Sequence, residues 1–493
     1  MKYVSTRQGG AAVSASQAII RGIAPDGGLY VPETIPAVDM EFIRALCAMD
    51  YRGRAVKVLG LFLEEFSQEE LTEIAKASYG ENFDDPAIAP VVALDGDTAV
   101  MELWHGPTSA FKDMALQIMP RLLTASLGKN GEERTVSILV ATSGDTGKAA
   151  LEGFRDVPGT RIMVFYPKDG VSQVQKLQMA TQEGGNVNVV AVDGNFDDAQ
   201  TGVKNIFGDM AFAHLLNGRG YFLSSANSIN WGRLVPQIAY YFSAYCELVN
   251  AGKIACGDTI DFCVPTGNFG NILAGWYAKQ MGLPVGRFIC ASNANNVLTD
   301  FIETGIYNKN RPFHLTTSPS MDILVSSNLE RLLYCLTDDG EKVRRFMDDL
   351  KKDGRYDVGD DLRRAVQAEF TGGFCREEDC REEIGRLWQE HGYLMDTHTA
   401  VASRVLRNVR EREGKRYPTV IVSTASPFKF GGAVLEALGV VTSETGPALV
   451  DELSAVTGIG APKPLSGLGE KPVRFDKWVP IADMERAVAE FLV

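Results

Sequence analysis

No run of about eighteen consecutive apolar residues, the length a membrane helix needs, occurs in this 493-residue chain. Membrane partners are therefore not expected. The opening MKYVSTRQGG also lacks the apolar stretch of a secretory leader, so the cytoplasm is the expected compartment. Histidine is scarce. The five residues His105, His214, His314, His391 and His398 show neither an HExxH pattern nor any other paired ligand spacing, which argues against a metal site. The eight cysteines include no CxxC pair, only CREEDC in an acidic helical stretch, and read as reduced, mostly core thiols. Basic residues number 49 against 63 acidic ones. The resulting net charge of -14 excludes a nucleic-acid scaffold, because phosphate backbones are bound by clustered Lys and Arg. Internal repeats and low-complexity tracts are absent as well.

What is present fits a globular chain of two or three domains, with 45% hydrophobic and 23% charged residues. Residues 1–95 carry a turn cluster, IAPDGGLYVPE, and helical patterns such as SQEELTEIAKASYG, and read as an N-terminal accessory domain. From about residue 96 to 440, near-continuous apolar runs alternate with helical patterns. TVSILVAT runs into SGDTG, TIDFCVP into TGNFGN, and TVIVSTA into SPFKFGG. Such alternation predicts an α/β fold with parallel sheets flanked by helices, whose ligand crevice lies beyond the carboxyl ends of the strands. Within this core, about 299–400 reads as a helical, charged insertion. Residues 441–493, with GIGAPKPLSGLGEKP, read as a C-terminal surface extension.

The stretch HGPTSAFKDMALQIMPRLL, residues 105–123, places Lys112 among Phe111, Met114, Ala115 and Leu116. Apolar residues recur at helical spacing, so the pattern predicts a helix that starts at Lys112 with Ser109 as its cap. Burial and a helix N-terminus both disfavour an ammonium, and a neutral amine is a nucleophile suited to a carbonyl cofactor. A lysine whose stem packs while its head reaches water fits the same stretch.

Three strand ends supply further polar groups. In PTGNFGN, Gly267 and Gly270 allow backbone conformations that present successive N–H groups to an anion at a helix start, although a plain strand-to-helix turn has the same composition. ATSGDTGKAA resembles a nucleotide P-loop, but Thr142 stands where its first glycine belongs and Ala149 where Ser or Thr would hold magnesium. Its Ser143, Asp145 and Thr146 can still meet a carboxylate or phosphate. In STASPFKFGG, Ser423 or Thr424 can bond a heterocycle nitrogen or cap a helix.

In this order, HGPTSAFK, TSGDTG, GNFGN and STASP resemble the threonine synthases, pyridoxal-phosphate enzymes built like the tryptophan synthase β-subunit. MKYVSTR, GIAPDGGLYVP, SSANSINWGRL and DTHTAV extend the likeness from residue 1 to about 440. The resemblance implies a two-lobed pyridoxal 5'-phosphate enzyme. Lys112 would be the lysine that bonds the cofactor, with Gly267, Asn268, Phe269, Gly270 and Asn271 as its phosphate loop. Thr424 would face the pyridine nitrogen, and Asp145 would stand near the ring hydroxyl. The implied reaction converts O-phosphohomoserine and water to threonine and phosphate. Its substrate phosphate needs a second anion site, for which Ser228, Asn230, Arg233 and Lys148 are candidates beside Ser143 and Thr146. A related lyase or a serine/threonine dehydratase on the same fold is the alternative, and a cofactor-binding protein without turnover is a third. Monomer and homodimer are both compatible with the sequence. Thr397 and Ser426 depart from the family's DPHTAV and STAHP patterns.

Overall fold

The computed structural model describes every residue except Ser143, Gly170, Lys415, Arg416, Val493 and the side chain of Asp197. Two sheets organise it. A six-stranded sheet runs in the order Phe370–Phe374, Val285–Ser292, Ile260–Pro265, Thr419–Ser423, Thr98–Glu102 and Val91–Ala93, with only the last strand antiparallel. A parallel five-stranded sheet is ordered Trp478–Pro480, Val187–Asp193, Thr160–Pro167, Thr135–Ala141 and Tyr221–Ser224.

The apolar runs are continuous because each sheet is covered on both faces, and the alternation of side chains divides them between two cores. Phe262, Val264, Val420 and Val422 enter one core, while Cys263, Ile289 and Ile421 enter another. In the second sheet, Ile138 and Ile162 join the first of these cores. Leu139 and Met163 face a third. A parallel α/β architecture is what the alternating pattern predicts, and the two large sheets stand as the two lobes that the resemblance implies.

Both ends of the chain are woven into these lobes. At the N-terminus, Tyr3–Ser5 pairs with Tyr30–Pro32, the Tyr3 ring lies 5.4 Å from Trp231, and Arg7 Nε meets Glu330 at 2.8 Å. The C-terminal residues differ from a surface extension. Trp478–Pro480 completes the edge of the five-stranded sheet, and the helix Met484–Leu492 packs on the helix Phe196–Gly208, where a Cβ at Gly202 would stand 2.3 Å from Met484 Sδ. The stretch 299–400 also contributes a sheet strand, Phe370–Phe374. Its FTGGF sequence hides the strand, because Gly372 and Gly373 serve close packing: their Cβ atoms would come within 3.1 Å of Thr299 Cα and 2.6 Å of Val405 Cγ1. Among the described residues no helix is long and apolar enough to cross a membrane, and no cluster of potential metal ligands occurs.

Candidate active site

The segments that follow the carboxyl ends of Thr98–Glu102, Thr135–Ala141, Ile260–Pro265 and Thr419–Ser423 meet one another: Lys112, Asp145 and Gly267 all lie against Ser320, and Thr424 O accepts from Phe111 N. Lys112 arrives by a route that helical periodicity does not reveal. Ala110 forms an antiparallel bridge with Ala425, Phe111 N donates to Thr424 O at 2.8 Å, and Ser426 N donates to Ser109 O at 3.1 Å. The segment carrying the lysine is thereby stitched to the end of the strand Thr419–Ser423.

The expected long helix is two pieces. Asp113–Leu116 forms one short turn, and a separate helix, Met119–Lys129, begins with Pro120, which supplies no N–H to a preceding turn. Ser109 does not cap it. Its φ is +56°, its buried hydroxyl has no partner, and the turn is held instead by Thr108, whose N and Oγ1 donate to Asp113 at 2.8 and 2.7 Å. A single turn contributes little dipole, so burial is the main reason the Lys112 amine is pushed down to about 8. Arg233 and Lys429 lower it further. Asp145 opposes them, its Oδ2 lying 3.7 Å from Lys112 Nζ.

Asp145 is buried, which alone would raise its pKa. Lys429 and Lys112 outweigh that and hold it below the ordinary carboxylate range. Lys429 Nζ lies 2.6 Å from Asp145 Oδ1, is fully buried and donates to Thr108 O at 3.0 Å. Gln175 also donates to Asp145 Oδ1, at 2.9 Å. No sequence motif assigns Lys429 a role, although its place between two phenylalanines is a signal of burial.

The loop 267–271, expected to hold a phosphate, differs in its backbone from the expectation. Neither Gly267 nor Gly270 has a positive φ; the left-handed residue is Phe269, at +64°, immediately before the helix Gly270–Met281. Gly267 is required by proximity instead, because a Cβ there would stand 3.0 Å from Ser320 O. Ser326 Oγ fixes Gly267 O at 2.7 Å and Asn328 N fixes Asn268 O at 3.1 Å. Asn271 Oδ1 accepts from Tyr240 and Tyr241 at 2.6 and 2.8 Å, which orients its amide, while its buried Nδ2 has no partner among the described residues. A helix of twelve residues behind a backbone cradle, an unpartnered amide donor and a buried amine of depressed pKa form a donor set that fits a phosphorylated aldehyde.

The candidates for the second anion site separate. Arg233 is buried in the first turn of the helix Trp231–Asn250, donates to Ala226 O at 3.0 Å, and pairs with no carboxylate among the described residues. Burial lowers it to about 10. Ser228 is half-buried, its Cβ 3.9 Å from the Cβ position of Gly270 and thus against the phosphate loop. Thr146 is half-buried in the first turn after Gly144, and Ser143 lies outside the described residues.

Two expectations need correction. Asn230 caps its helix, with Oδ1 accepting from Gly232 N at 2.9 Å and Nδ2 donating to Ile19 O at 2.9 Å, so its amide is committed to structure. Lys148 already has a carboxylate partner. It pairs with Glu152 at 3.0 Å and lines a cavity of about 270 Å³ with His105, Lys463 and Lys471 among others.

Three family models match the chain. Models described as threonine synthase N terminus, pyridoxal-phosphate dependent enzyme, and threonine synthase, C-terminal match residues 2–79, 93–425 and 399–487. The chain is 42% identical over 434 residues to threonine synthase-like 1 of Homo sapiens, covering 86% of this chain but only 58% of that protein's length. It is 40% identical over 455 residues to threonine synthase of Pseudomonas aeruginosa, covering 92% of this chain and 93% of that one. The crystal structure of PLP-bound threonine synthase from Brucella melitensis superposes with a TM-score of 0.88 at 37% identity, covering 100% of this chain and 98% of that chain.

Proposed function

Because the chain belongs to the threonine synthase family of pyridoxal-phosphate enzymes, we propose that it converts O-phospho-L-homoserine and water to L-threonine and phosphate. The observation that carries this reading is Arg233. A buried guanidinium without a carboxylate, close enough to Lys112 to depress its pKa, needs an anion other than the one the loop 267–271 would hold.

When bound, pyridoxal phosphate supplies an aldehyde that captures an amino group and a conjugated ring that takes up carbanion charge. The chain's own residues do the rest. Lys112 holds the aldehyde and, once released, is an amine of pKa about 8 that can take up and return protons at Nζ near neutral pH. Gly267 to Asn271 hold the cofactor phosphate. Thr424 offers the ring nitrogen a neutral hydroxyl, and the ionised Asp145 stands beside the amine. Arg233 grips the substrate phosphate in a planar fork and stabilises the charge that grows on it as it leaves, with Ser228 and Thr146 as further polar contacts to the substrate.

Purified protein should release inorganic phosphate from O-phosphohomoserine with stoichiometric threonine. Deamination of serine or threonine that outruns phosphate release would instead assign a dehydratase.

A further inference from the structure

The segment Thr316–Asp322, within the charged stretch 299–400, reaches into the crevice. Its short turn Pro319–Met321 sets Ser320 against four parts of the site at once. Lys112 Nζ donates to Ser320 Oγ at 3.3 Å, and Ser320 Oγ donates to Asp145 Oδ2 at 3.3 Å. The direct separation of Lys112 and Asp145 is 3.7 Å, beyond a good hydrogen bond, so the hydroxyl is what links them. The carbonyl of Ser320 lies over Gly267 of the phosphate loop, and its N–H donates to His398 Nε2 at 3.2 Å.

That last bond fixes the histidine's state. Nε2 accepts, so the ring proton is on Nδ1, which faces Asp396 Oδ1 at 2.9 Å. Asp396 in turn caps the helix Thr397–Glu413 through the N–H groups of His398 and Thr399. Thr397 Oγ1 donates to Thr317 O at 2.7 Å, so the same helix start grips the segment a second time. The threonine that departs from the family pattern thus has a use here. Asn293 Nδ2 donates to Ser318 Oγ and Asp322 Oδ1, at 3.0 and 2.8 Å, and ties down the segment's far side.

We propose that Ser320 is a further catalytic residue, whose hydroxyl receives the free amine of Lys112 and links it to Asp145 during the proton transfers, and that His398 is the positioning residue that holds Ser320 in place. The inference rests on the reading of Lys112 as the reacting amine. No bond to Ser320 is made or broken. When Nζ takes a proton, the new ammonium donates to Ser320 Oγ while the serine proton stays directed at the Asp145 carboxylate, and return of that proton restores the starting state. Charge created on the amine is met through one intervening hydroxyl.

The test uses the full-length chain freed of cofactor and follows the rate of pyridoxal phosphate uptake by absorbance as a function of pH. Uptake requires the neutral amine, so the wild-type rate should rise through a midpoint near 8. Ser320→Ala removes an acceptor of the ammonium and should move the midpoint down by about one pH unit. Ser320→Thr should restore it. His398→Leu should shift it as Ser320→Ala does, while His398→Gln, which keeps an acceptor, should not. In the loaded enzyme Ser320→Ala should lower kcat roughly tenfold or more with KM little changed. A wild-type midpoint in Ser320→Ala, or uptake reduced equally at every pH, makes the residue structural and overturns the proposal. A wild-type midpoint in His398→Leu overturns the positioning role. Borohydride trapping in each variant checks separately that Lys112 takes the cofactor, and the uptake result stands whether or not O-phosphohomoserine is the substrate.

Discussion

Two buried lysines lie against one carboxylate, and chemistry needs them to differ. Lys429 is locked to Asp145 at 2.6 Å and to a backbone carbonyl, whereas Lys112 makes only longer contacts and its amine is pushed down to about 8. Borohydride reduction of the loaded protein followed by peptide mapping should therefore place the pyridoxyl group on Lys112. A label on Lys429 would reverse the assignment. Arg233 is tested by the same logic. Arg233→Ala should keep the cofactor on Lys112, because the phosphate loop is untouched, yet lower kcat/KM for O-phosphohomoserine by about a hundredfold or more, the worth of a charge-assisted bond made to a leaving group. Arg233→Lys should recover part of the loss, since a point charge replaces a planar fork. Equal turnover in the Ala variant would remove Arg233 from the substrate site.

At the scale of elements, the loop 267–271 depends on close approach more than on unusual backbone angles at its glycines. Gly267→Val would drive a branched Cβ into the carbonyl of Ser320, 3.0 Å from the Cβ position, and should lower cofactor occupancy and displace the Ser320 segment together. Retained occupancy, measured by absorbance against protein concentration, would show that the two elements yield independently. This dependence was not legible in the sequence. The strands and the glycine-rich turns that follow them were, because apolar runs and turn residues are local signals. Ser320 was not, since its segment has no periodicity and meets Lys112 only through the tertiary fold. The bridge between Ala110 and Ala425, the break before Pro120 and the strand hidden in FTGGF were missed for the same reason: packing overrode the local pattern.

For the whole molecule, the ends of the chain are structural. Removing residues 477–493 would expose the edge of Val187–Asp193 and uncover Val203 and Ile206, so the truncated protein should lose solubility and thermal stability, read by static light scattering and calorimetry. The connection between the N-terminal region and the core carries a pH dependence. Burial would lower the pKa of His105, but its bonds to Asp84 at 2.6 Å and Glu102 at 2.9 Å prevail and raise it to about 9. A raised pKa gives stability that is complete below the unfolded value near 6.5 and lost as pH rises through about 9. The difference in unfolding free energy between wild type and His105→Gln should accordingly be largest in acid and shrink across that window. A difference independent of pH would mean that His105 titrates alike in the folded and unfolded chain, so that its two carboxylate partners do not raise its pKa.

The stitching of the Lys112 segment to Ser423–Ser426 also bears on how the protein is made. During synthesis the lysine emerges long before the strand that clamps its backbone, together with Thr424 and Lys429. Until that strand is made, the Lys112 amine lacks these neighbours. The Thr419–Ser423 strand then slots between two strands already made, Ile260–Pro265 and Thr98–Glu102, so the surroundings of Lys112 are assembled from segments far apart in the order of synthesis.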